Sequence, residues 1–318
     1  MTAPRRTIGT SDLSVFPLSL GGNVFGWTAD RDTSFAVLDA YASAGGNFVD
    51  TADGYSAWVP GNTGGDSERV LGEWFESRGN RDEFVIATKV SQHPEFKGLA
   101  ADTIRRAADA SLERLRTDRI DLYYAHFDDV TVPLQETVTA LSRLVDAGKV
   151  RHIGISNYSP ERIEEWFRIT ERNGLHRPVA LQPHYNLVER AYEEKYRSLA
   201  ERENLGVMPY YALAAGFLTG KYRDGVTVDS PRATGASKYL DGVGRAVLGA
   251  LDGIAADRGV SVATVALAWL AAQPTVTAPI ASARTPGQLP DLLASVELTL
   301  TTPEVEALSG VSEASEAA

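Results

Sequence analysis

The chain has 318 residues, of which 43% are hydrophobic and 23% are charged, as in an ordinary globular protein. Its formal net charge of -11 argues against a nucleic-acid partner, because such a partner requires clustered Lys and Arg. It has no cysteine, which excludes disulfides, thiolate metal sites and a cysteine nucleophile.

No segment has the pattern of a signal peptide or a membrane span. Residues 1–10 are polar and no apolar core follows them. The longest apolar run, about residues 262–272, is far shorter than the ~20 residues that a span requires. The sequence therefore predicts a cytoplasmic protein with no membrane partner.

Short apolar runs that end on polar residues alternate with amphipathic segments along the chain. The predicted strands are residues 15–20, 48–49, 84–87, 120–125, 150–155, 179–181, 207–208 and 276–280. The predicted helices are residues 33–44, 67–78, 103–115, 134–147, 160–172, 192–203, 244–258, 262–272 and 286–294. A long loop is predicted at about residues 213–242 and a frayed, disordered tail at about 312–318.

Eight strand–helix units without a linker predict one α/β domain over residues 1–318, a (β/α)8 TIM barrel at about 15–295. Extra helices and long loops are expected at its C-terminal face. The alternative, an open doubly wound sheet, would show a Gly-rich turn after its first strand. Residues 21–26 (GGNVFG) do not fit G-x-G-x-x-G, which makes that alternative the weaker one.

Polar residues close three consecutive predicted strands. Asp50 ends the second strand, Lys89 follows the third strand and His126 follows the fourth strand. Successive members of this set are therefore about one βα unit apart in the sequence. Neighbouring strands are ~4.8 Å apart, so these side chains should meet on one side of the barrel mouth. Tyr55 lies on the loop after Asp50, and active sites of such barrels form at this end.

This set of residues suits proton transfer. A free tyrosine has a pKa of about 10, and a nearby lysine would lower the pKa of Tyr55. Asp50 would hold Lys89 charged, and His126 would orient a substrate oxygen. Together they could protonate a carbonyl oxygen that accepts a hydride. The alternatives are a simple Lys–Asp salt bridge, a structural histidine, or a metal site that would add Asp128 and Asp129 but lacks a His-x-His or His-Glu-x-x-His pair.

Four segments in the same order resemble the aldo-keto reductases. Residues 50–55 (DTADGY) resemble that family's Asp-Thr-Ala-x-x-Tyr motif. Residues 85–89 (VIATK) and 121–126 (DLYYAH) resemble its lysine and histidine strands. Residues 148–158 (GKVRHIGISNY) are similar to its long Gly-Lys-x-Arg-x-x-Gly-x-Ser-Asn signature. The resemblance runs from about residue 18 to 293 and implies a barrel that reduces carbonyl compounds with a nicotinamide cofactor.

Within this resemblance Tyr55 would be the general acid, Lys89 and Asp50 would tune it, and His126 would orient the carbonyl. The implied cofactor-binding residues are Gly22, Asn23, Asp50, Ser156, Asn157, Gln182, Tyr210, Leu213, Ala214, Gly216, Lys221, Ser282, Arg284 and Gln288. Tyr211-Ala212 stands where many members have Ser-Pro.

Residues 281–289 (ASARTPGQL) resemble the family's segment for the adenosine 2′-phosphate. Arg284 and Ser282 can pair with a phosphate, so the resemblance implies NADPH rather than NADH. The alternative for Arg284 is a solvated cap near a helix start. The loop at about residues 222–242 is expected to fold over the cofactor.

Trp27, Trp58, Phe127 and Tyr158 follow predicted strands and are expected to line a pocket for an apolar aldehyde or ketone. Simple packing is the alternative for each ring. A cofactor-binding regulatory subunit, like the potassium-channel subunits that the family also resembles, would be expected to carry a long N-terminal segment before the barrel. An isomerase or lyase on the same barrel would have no use for the cofactor residues.

Overall fold

The computed structural model describes residues 4–313. An antiparallel hairpin of β1 (Arg6–Thr7) and β2 (Ser14–Val15) precedes a parallel sheet of eight strands. Those eight are β3 (Ser19–Gly21), β4 (Phe48–Asp50), β5 (Val85–Val90), β6 (Ile120–Ala125), β7 (Val150–Ser156), β8 (Pro178–Gln182), β9 (Gly206–Val207) and β10 (Ile280–Ala281). Strands β3 to β9 neighbour one another in chain order, and β10 lies beside β3.

Backbone hydrogen bonds join the two edges of this sheet. Val207 N donates to Thr275 O at 3.1 Å, and Thr277 N donates to Val207 O at 2.8 Å. Ile280 N donates to Pro209 O at 3.0 Å, which extends the ladder toward the carboxyl ends of the strands. The sheet is therefore a (β/α)8 barrel, as the strand–helix alternation predicts.

The helices cover the outside of the barrel. They are α1 (Arg31–Ser43), α2 (Asp66–Arg78), α3 (Ala101–Leu115), α4 (Leu134–Asp146), α5 (Pro160–Asn173), α6 (Ala191–Lys195), α7 (Arg197–Arg202), α8 (Ala233–Ser237), α9 (Gly242–Arg258), α10 (Val262–Ala271), α11 (Leu289–Glu297) and α12 (Thr302–Glu313). Local sequence fixes their ends: in α5, Ser159 Oγ accepts from Arg162 N and Gly174 stops the helix at φ 61°.

The N-terminal hairpin closes the end of the barrel opposite the polar strand ends. Its apolar side chains, Ile8, Leu13 and Val15, share one buried cluster with inward-facing side chains of the barrel strands. Asp12, at the hairpin turn, pairs with Arg151 near the start of β7 at 2.8 Å. The opposite end of the barrel is left to the loops that follow the strands.

Two predicted strands differ from the observed ones because of proline. The predicted first strand, residues 15–20, is divided between β2 and β3, since Pro17 has no N–H to donate to a ladder. The predicted eighth strand, residues 276–280, begins only at Ile280, after Pro279. Val276 instead forms an isolated bridge with Val207.

Three helical segments also differ from the predictions. The predicted helix over residues 192–203 is divided between α6 and α7 at Tyr196, where ψ is -23° and φ is -125°. The predicted long loop contains a 3-10 turn, Ala214–Thr219, and α8. The last helix, α12, was not predicted and includes Ser312 and Glu313, which corrects the start of the predicted tail; residues 314–318 lie outside the described residues.

Within residues 4–313, no single helix has both the length and the apolar character to cross a membrane. The pair α9 and α10 passes such a test only when the two are joined, and they are bent by 101°.

Candidate active site

Polar side chains are buried where β4 and β5 end. Asp50 is the last residue of β4 and Lys89 is the last but one of β5. Asp50 pairs in register with Ala87, and Lys89 pairs with Tyr124 of β6. Lys89 is fully buried and Asp50 is 2% exposed, although both are charged residue types that are rarely buried without a partner.

Lys89 is the centre of a bonded group. Its Nζ donates to Asp50 Oδ2 at 2.6 Å and to Tyr55 Oη at 2.9 Å. A third bond, to Thr51 O at 2.6 Å, completes the three donors of the ammonium. The predicted grouping of Asp50, Tyr55 and Lys89 is therefore present in the structure, and it fixes the phenol of Tyr55 through the lysine.

The charge of Lys89 does not decide the pKa of Tyr55. Burial raises the pKa of the Tyr55 phenol, Lys89 opposes that rise, and Asp50 adds to it, so the pKa is above its ordinary value. Lys89 does lower the pKa of Tyr55, as predicted from the sequence, but desolvation has the larger effect. Tyr55 consequently keeps its proton throughout the neutral range, as a proton donor must.

Near neutral pH, Lys89 is charged and His126 is neutral. Burial acts to lower the pKa of Lys89, but Asp50 and Tyr55 outweigh it and hold the pKa above its ordinary value. Burial, assisted by the Lys89 charge, lowers the pKa of His126 well below its usual range. The rings of His126 and Tyr55 are 6.2 Å apart, so a neutral imidazole lies beside the phenol.

A second group of bonded polar residues continues from Asp50 across the barrel. Gln182 Nε2 donates to Asp50 Oδ1 at 2.8 Å, and Ser156 Oγ donates to Gln182 O at 2.9 Å. Asn157 Nδ2 donates to His126 O at 2.9 Å, and its Oδ1 accepts from Tyr210 Oη at 2.9 Å. The predicted nicotinamide-binding residues thus form one network with the proton-transfer group.

The segment after β9 has an unusual backbone. Ala214, Ala215 and Gly216 have φ of 47°, 56° and 96°. Consecutive backbone N–H groups in such turns form concave sites that bind anions. Lys221 Nζ would lie 3.7 Å from a Cβ placed on Gly216, so its amine is next to this turn. Leu213 caps the turn, and Gly216 N donates to Leu213 O at 2.8 Å.

The loops after β3 and β10 meet nearby. Ser282 Oγ donates to Asn23 Oδ1 at 2.7 Å, and Gln288 Oε1 accepts from Arg284 N at 2.8 Å. Gly22 allows a close approach, because a Cβ there would lie 2.8 Å from Ser67 Oγ.

Three cations in this region lack a carboxylate partner among residues 4–313, namely Lys221, Arg232 and Arg284. Arg232 is half-buried above the ring of Trp27, 5.9 Å from its centroid, and its Nη2 has no hydrogen-bond partner in the described chain. Burial lowers the pKa of Arg232, and among the charges that act on it is Arg284. Sequence reasoning missed Arg232, because one arginine in a Gly- and Ser-rich loop has no distinctive spacing.

Aromatic rings surround Tyr55 at the mouth. Trp58 is 52% exposed, and its ring centroid is 6.3 Å from that of Tyr55 and 5.6 Å from that of Trp27. Phe127 is 43% exposed and contacts His126 at 4.8 Å. The structure therefore brings three of the four predicted pocket rings to the mouth.

Tyr158 is the exception and corrects the prediction. It is only 2% exposed, and its ring packs edge-on against Trp166 of α5 at 5.5 Å. The preceding Asn157 has a left-handed φ of 56°, and Tyr158 belongs to the same buried hydrophobic cluster as Trp166. Tyr158 therefore belongs to the core rather than to the mouth.

The carboxylates of the alternative metal site form hydrogen bonds with other protein groups. Asp128 forms two bonds of 2.8 Å with Arg162, and Asp129 Oδ2 accepts from Leu99 N at 2.9 Å. Among residues 4–313 no group of three or more His, Asp or Glu side chains has a metal-binding arrangement.

A family model for the aldo/keto reductases matches residues 17–313. The chain belongs to the aldo/keto reductase family. Relatives with named functions align with most of its length. It is 32% identical to norsolorinic acid reductase B of Aspergillus parasiticus, over 97% of this chain and 84% of that protein. It is 35% identical to a probable voltage-gated potassium channel subunit beta of Oryza sativa, over 94% and 93%.

A third relative, aldo-keto reductase YhdN of Bacillus subtilis, is 32% identical over 89% of this chain and 84% of its own length. Membership supports an oxidoreductase that acts on carbonyl compounds, in a family that generally uses nicotinamide cofactors.

This aldo-keto reductase also has a buried acidic cluster directly behind Lys89. Glu68 is fully buried, and it accepts from Thr88 Oγ1 and from Arg114 Nε, both at 2.6 Å. Asp53 is fully buried too, and neither of its carboxyl oxygens has a hydrogen-bond partner of standard geometry in the described chain. Burial and the charge of Glu68 raise the pKa of Asp53 well above its usual range, while Arg114 opposes the rise.

Asp53→Asn is expected to stabilise this protein increasingly as pH rises. Because the folded pKa is the higher one, the unfolded chain loses the proton first, above about pH 4, and wild-type stability falls from there. Asparagine does not titrate, so the variant should gain stability relative to wild type as pH rises from 4 to 8. Urea unfolding across that range measures the gap.

Asp118→Asn is the matched control, since the Asp118 side chain is 91% exposed. The difference in free energy of unfolding between this variant and wild type should not change with pH. A constant difference for Asp53→Asn as well would show that the Asp53 carboxyl ionises equally easily in the folded and unfolded states.

Proposed function

We propose that this protein reduces an aldehyde or ketone to an alcohol by hydride transfer from NADPH, with Tyr55 as the general acid. The observation that carries the proposal is the bonded group at the barrel mouth, in which Lys89 Nζ contacts Asp50 at 2.6 Å and Tyr55 at 2.9 Å. A structural salt bridge would need only the first of these contacts. The second contact directs the lysine at a phenol.

The proton moves in one direction in this arrangement. The raised pKa of Tyr55 keeps its phenol protonated before reaction, and an alkoxide that forms at the carbonyl is a far stronger base than a phenolate. Lys89 stabilises the phenolate that remains after transfer, because its raised pKa keeps it charged. Neutral His126 can donate a hydrogen bond to the carbonyl oxygen and hold it toward Tyr55.

The residues fit a nicotinamide cofactor with a 2′-phosphate. When bound, NADPH supplies the hydride. The amide and hydroxyl groups of Ser156, Asn157 and Gln182 would hold the carboxamide, and the ring of Tyr210 would support the nicotinamide. The left-handed turn would hold its phosphates together with Lys221, Arg232 and Arg284, which have no carboxylate partner within residues 4–313.

Arg284→Ala is expected to weaken NADPH binding by about 10- to 100-fold and to change NADH binding by less than about twofold. A charge-assisted bond to the 2′-phosphate accounts for the difference, since NADH lacks that group. Fluorescence titration with both cofactors measures it. Arg105→Ala is the matched control, because Arg105 lies on the exposed face of α3 and pairs with Asp102.

An equal loss of affinity for NADPH and NADH would show that Arg284 does not read the phosphate. Oxidation of NADPH with a panel of aldehydes and ketones tests the reaction itself. Tight NADPH binding without turnover on any of them would favour a cofactor-binding regulatory role, which the potassium-channel relative makes the second candidate.

A further inference from the structure

Tyr211 has a backbone conformation that disfavours large side chains. Its φ is +53°, in the left-handed region, where a bulky residue is an outlier. Two bonds hold this conformation: Asn186 Nδ2 and Ala214 N both donate to Tyr211 O, at 2.9 Å and 2.7 Å. Backbone strain of this kind is concentrated at functional sites.

The Tyr211 ring does not offset that strain by burial. It is 52% exposed, one of few large apolar side chains with such exposure in the described chain. Its ring meets Tyr210 and His184 only edge-on, each at 5.4 Å, with interplanar angles of 64° and 65°. Packing of the core therefore does not explain why a tyrosine occupies this position.

The ring is connected to the reacting groups through Tyr210. Tyr211 meets Tyr210 edge-on at 5.4 Å, and Tyr210 Oη donates to Asn157 Oδ1 at 2.9 Å. Asn157 Nδ2 in turn donates to His126 O at 2.9 Å. Two other exposed rings contact the reacting residues from different loops, Trp58 at Tyr55 and Phe127 at His126.

We propose that Tyr211 is a specificity-determining residue which, with Trp58 and Phe127, selects carbonyl substrates attached to a flat system of fused aromatic rings. This proposal rests on the proposed carbonyl reduction and specifies its substrate class. The exposed rings come from the loops after β4, β6 and β9, which are three separate positions around the carboxyl ends of the strands. A small aliphatic carbonyl can satisfy the proton-transfer group but contacts little of this aromatic surface, whereas a fused ring system reaches more than one wall.

The test compares 2-naphthaldehyde with butanal as substrates for wild type, Tyr211→Asn and Tyr211→Phe. Asparagine tolerates the left-handed region and removes the ring, and phenylalanine keeps the ring. The quantity measured is the ratio of kcat/KM for the two aldehydes, which cancels their intrinsic reactivities when variants are compared. We expect this ratio to fall by about 3- to 10-fold in Tyr211→Asn, the scale of one aromatic contact, and to stay within about twofold in Tyr211→Phe.

The melting temperature of Tyr211→Asn separates specificity from damage to the fold. It should equal or exceed that of wild type, because the strained tyrosine is replaced by a residue suited to the conformation. An unchanged ratio in Tyr211→Asn would overturn the proposal, and so would a lowered ratio accompanied by a lower melting temperature.

A binding measurement keeps this proposal separate from the proposed function. If wild type oxidises no NADPH with either aldehyde, the proposed reduction fails, and affinity for 2-naphthalenemethanol then decides the role of Tyr211. Weaker binding by Tyr211→Asn than by wild type supports an aromatic wall. Equal binding by the two proteins contradicts it.

Discussion

Tyr55→Phe is expected to lower kcat for carbonyl reduction by about 100- to 10,000-fold while NADPH affinity changes by less than about twofold. The change removes only the hydroxyl that Lys89 Nζ contacts at 2.9 Å, and with it the proposed proton donor. General acids typically contribute a factor of this size. Steady-state kinetics and fluorescence titration on the same preparation measure the two effects.

Tyr123→Phe is the matched control for the loss of one phenolic hydroxyl. Tyr123 lies on β6, is fully buried, and its hydroxyl has no hydrogen-bond partner within residues 4–313. Its removal should leave kcat unchanged. Wild-type rates in Tyr55→Phe would mean that another group donates the proton.

The proposed role of Tyr55 also predicts how wild-type kcat depends on pH. If Tyr55 is the general acid, as proposed, reduction requires its protonated form, so the rate should hold through neutral pH and fall only as pH rises toward the raised pKa of the phenol. The pKa of His126 is well below its usual range, so no step should appear near pH 6.5. A step there would show that His126 titrates during turnover.

The residues at strand ends were predictable because a barrel returns the chain to the same face after each helix. Asp50, Lys89 and His126 needed only correct strand positions, and an error of one or two residues at a strand end did not move them apart. The bonds that these residues make follow from burial at that face, where a lysine must find acceptors.

The features that the sequence analysis did not predict depend on side-chain direction, on an unusual backbone conformation or on desolvation. Tyr158 was assigned to the pocket, but its ring follows a left-handed residue, Asn157, and lies in the core. Arg232 is brought over Trp27 by a loop without regular periodicity. The sign of the net pKa shift at Tyr55 depends on desolvation, which no spacing of residues reports.

The buried positions of Glu68 and Arg114 were not predicted from the helical sequence patterns. Both residues lie on helices, α2 and α3, whose amphipathic patterns place charge outside, yet Glu68 is fully buried and Arg114 is largely so. Close packing explains it: a Cβ on Gly72 of α2 would lie 2.1 Å from Arg114 O. The helices approach so closely there that Glu68 and Arg114 meet in the buried space between them, where Arg114 also donates to Ser111 Oγ at 3.2 Å.

Arg114→Met is expected to lower the free energy of unfolding by about 3–5 kcal/mol, the cost of leaving one charge of a buried pair without its partner. The loss arises because Glu68 would keep only the 2.6 Å bond from Thr88. Urea unfolding measures it, and Arg105→Met is the control, since water screens exposed pairs such as Arg105–Asp102 and they contribute little to stability.

The double variant Glu68→Gln with Arg114→Met separates the uncompensated charge from lost packing. If the charge is the cause, the second substitution should recover more than half of the lost stability, because the two effects are coupled through one contact. No recovery would assign the loss to the missing guanidinium packing. Because Thr88 directly precedes Lys89, the single variant should also lower kcat more than the double variant does, which links the helix pair to the position of the proton-transfer group.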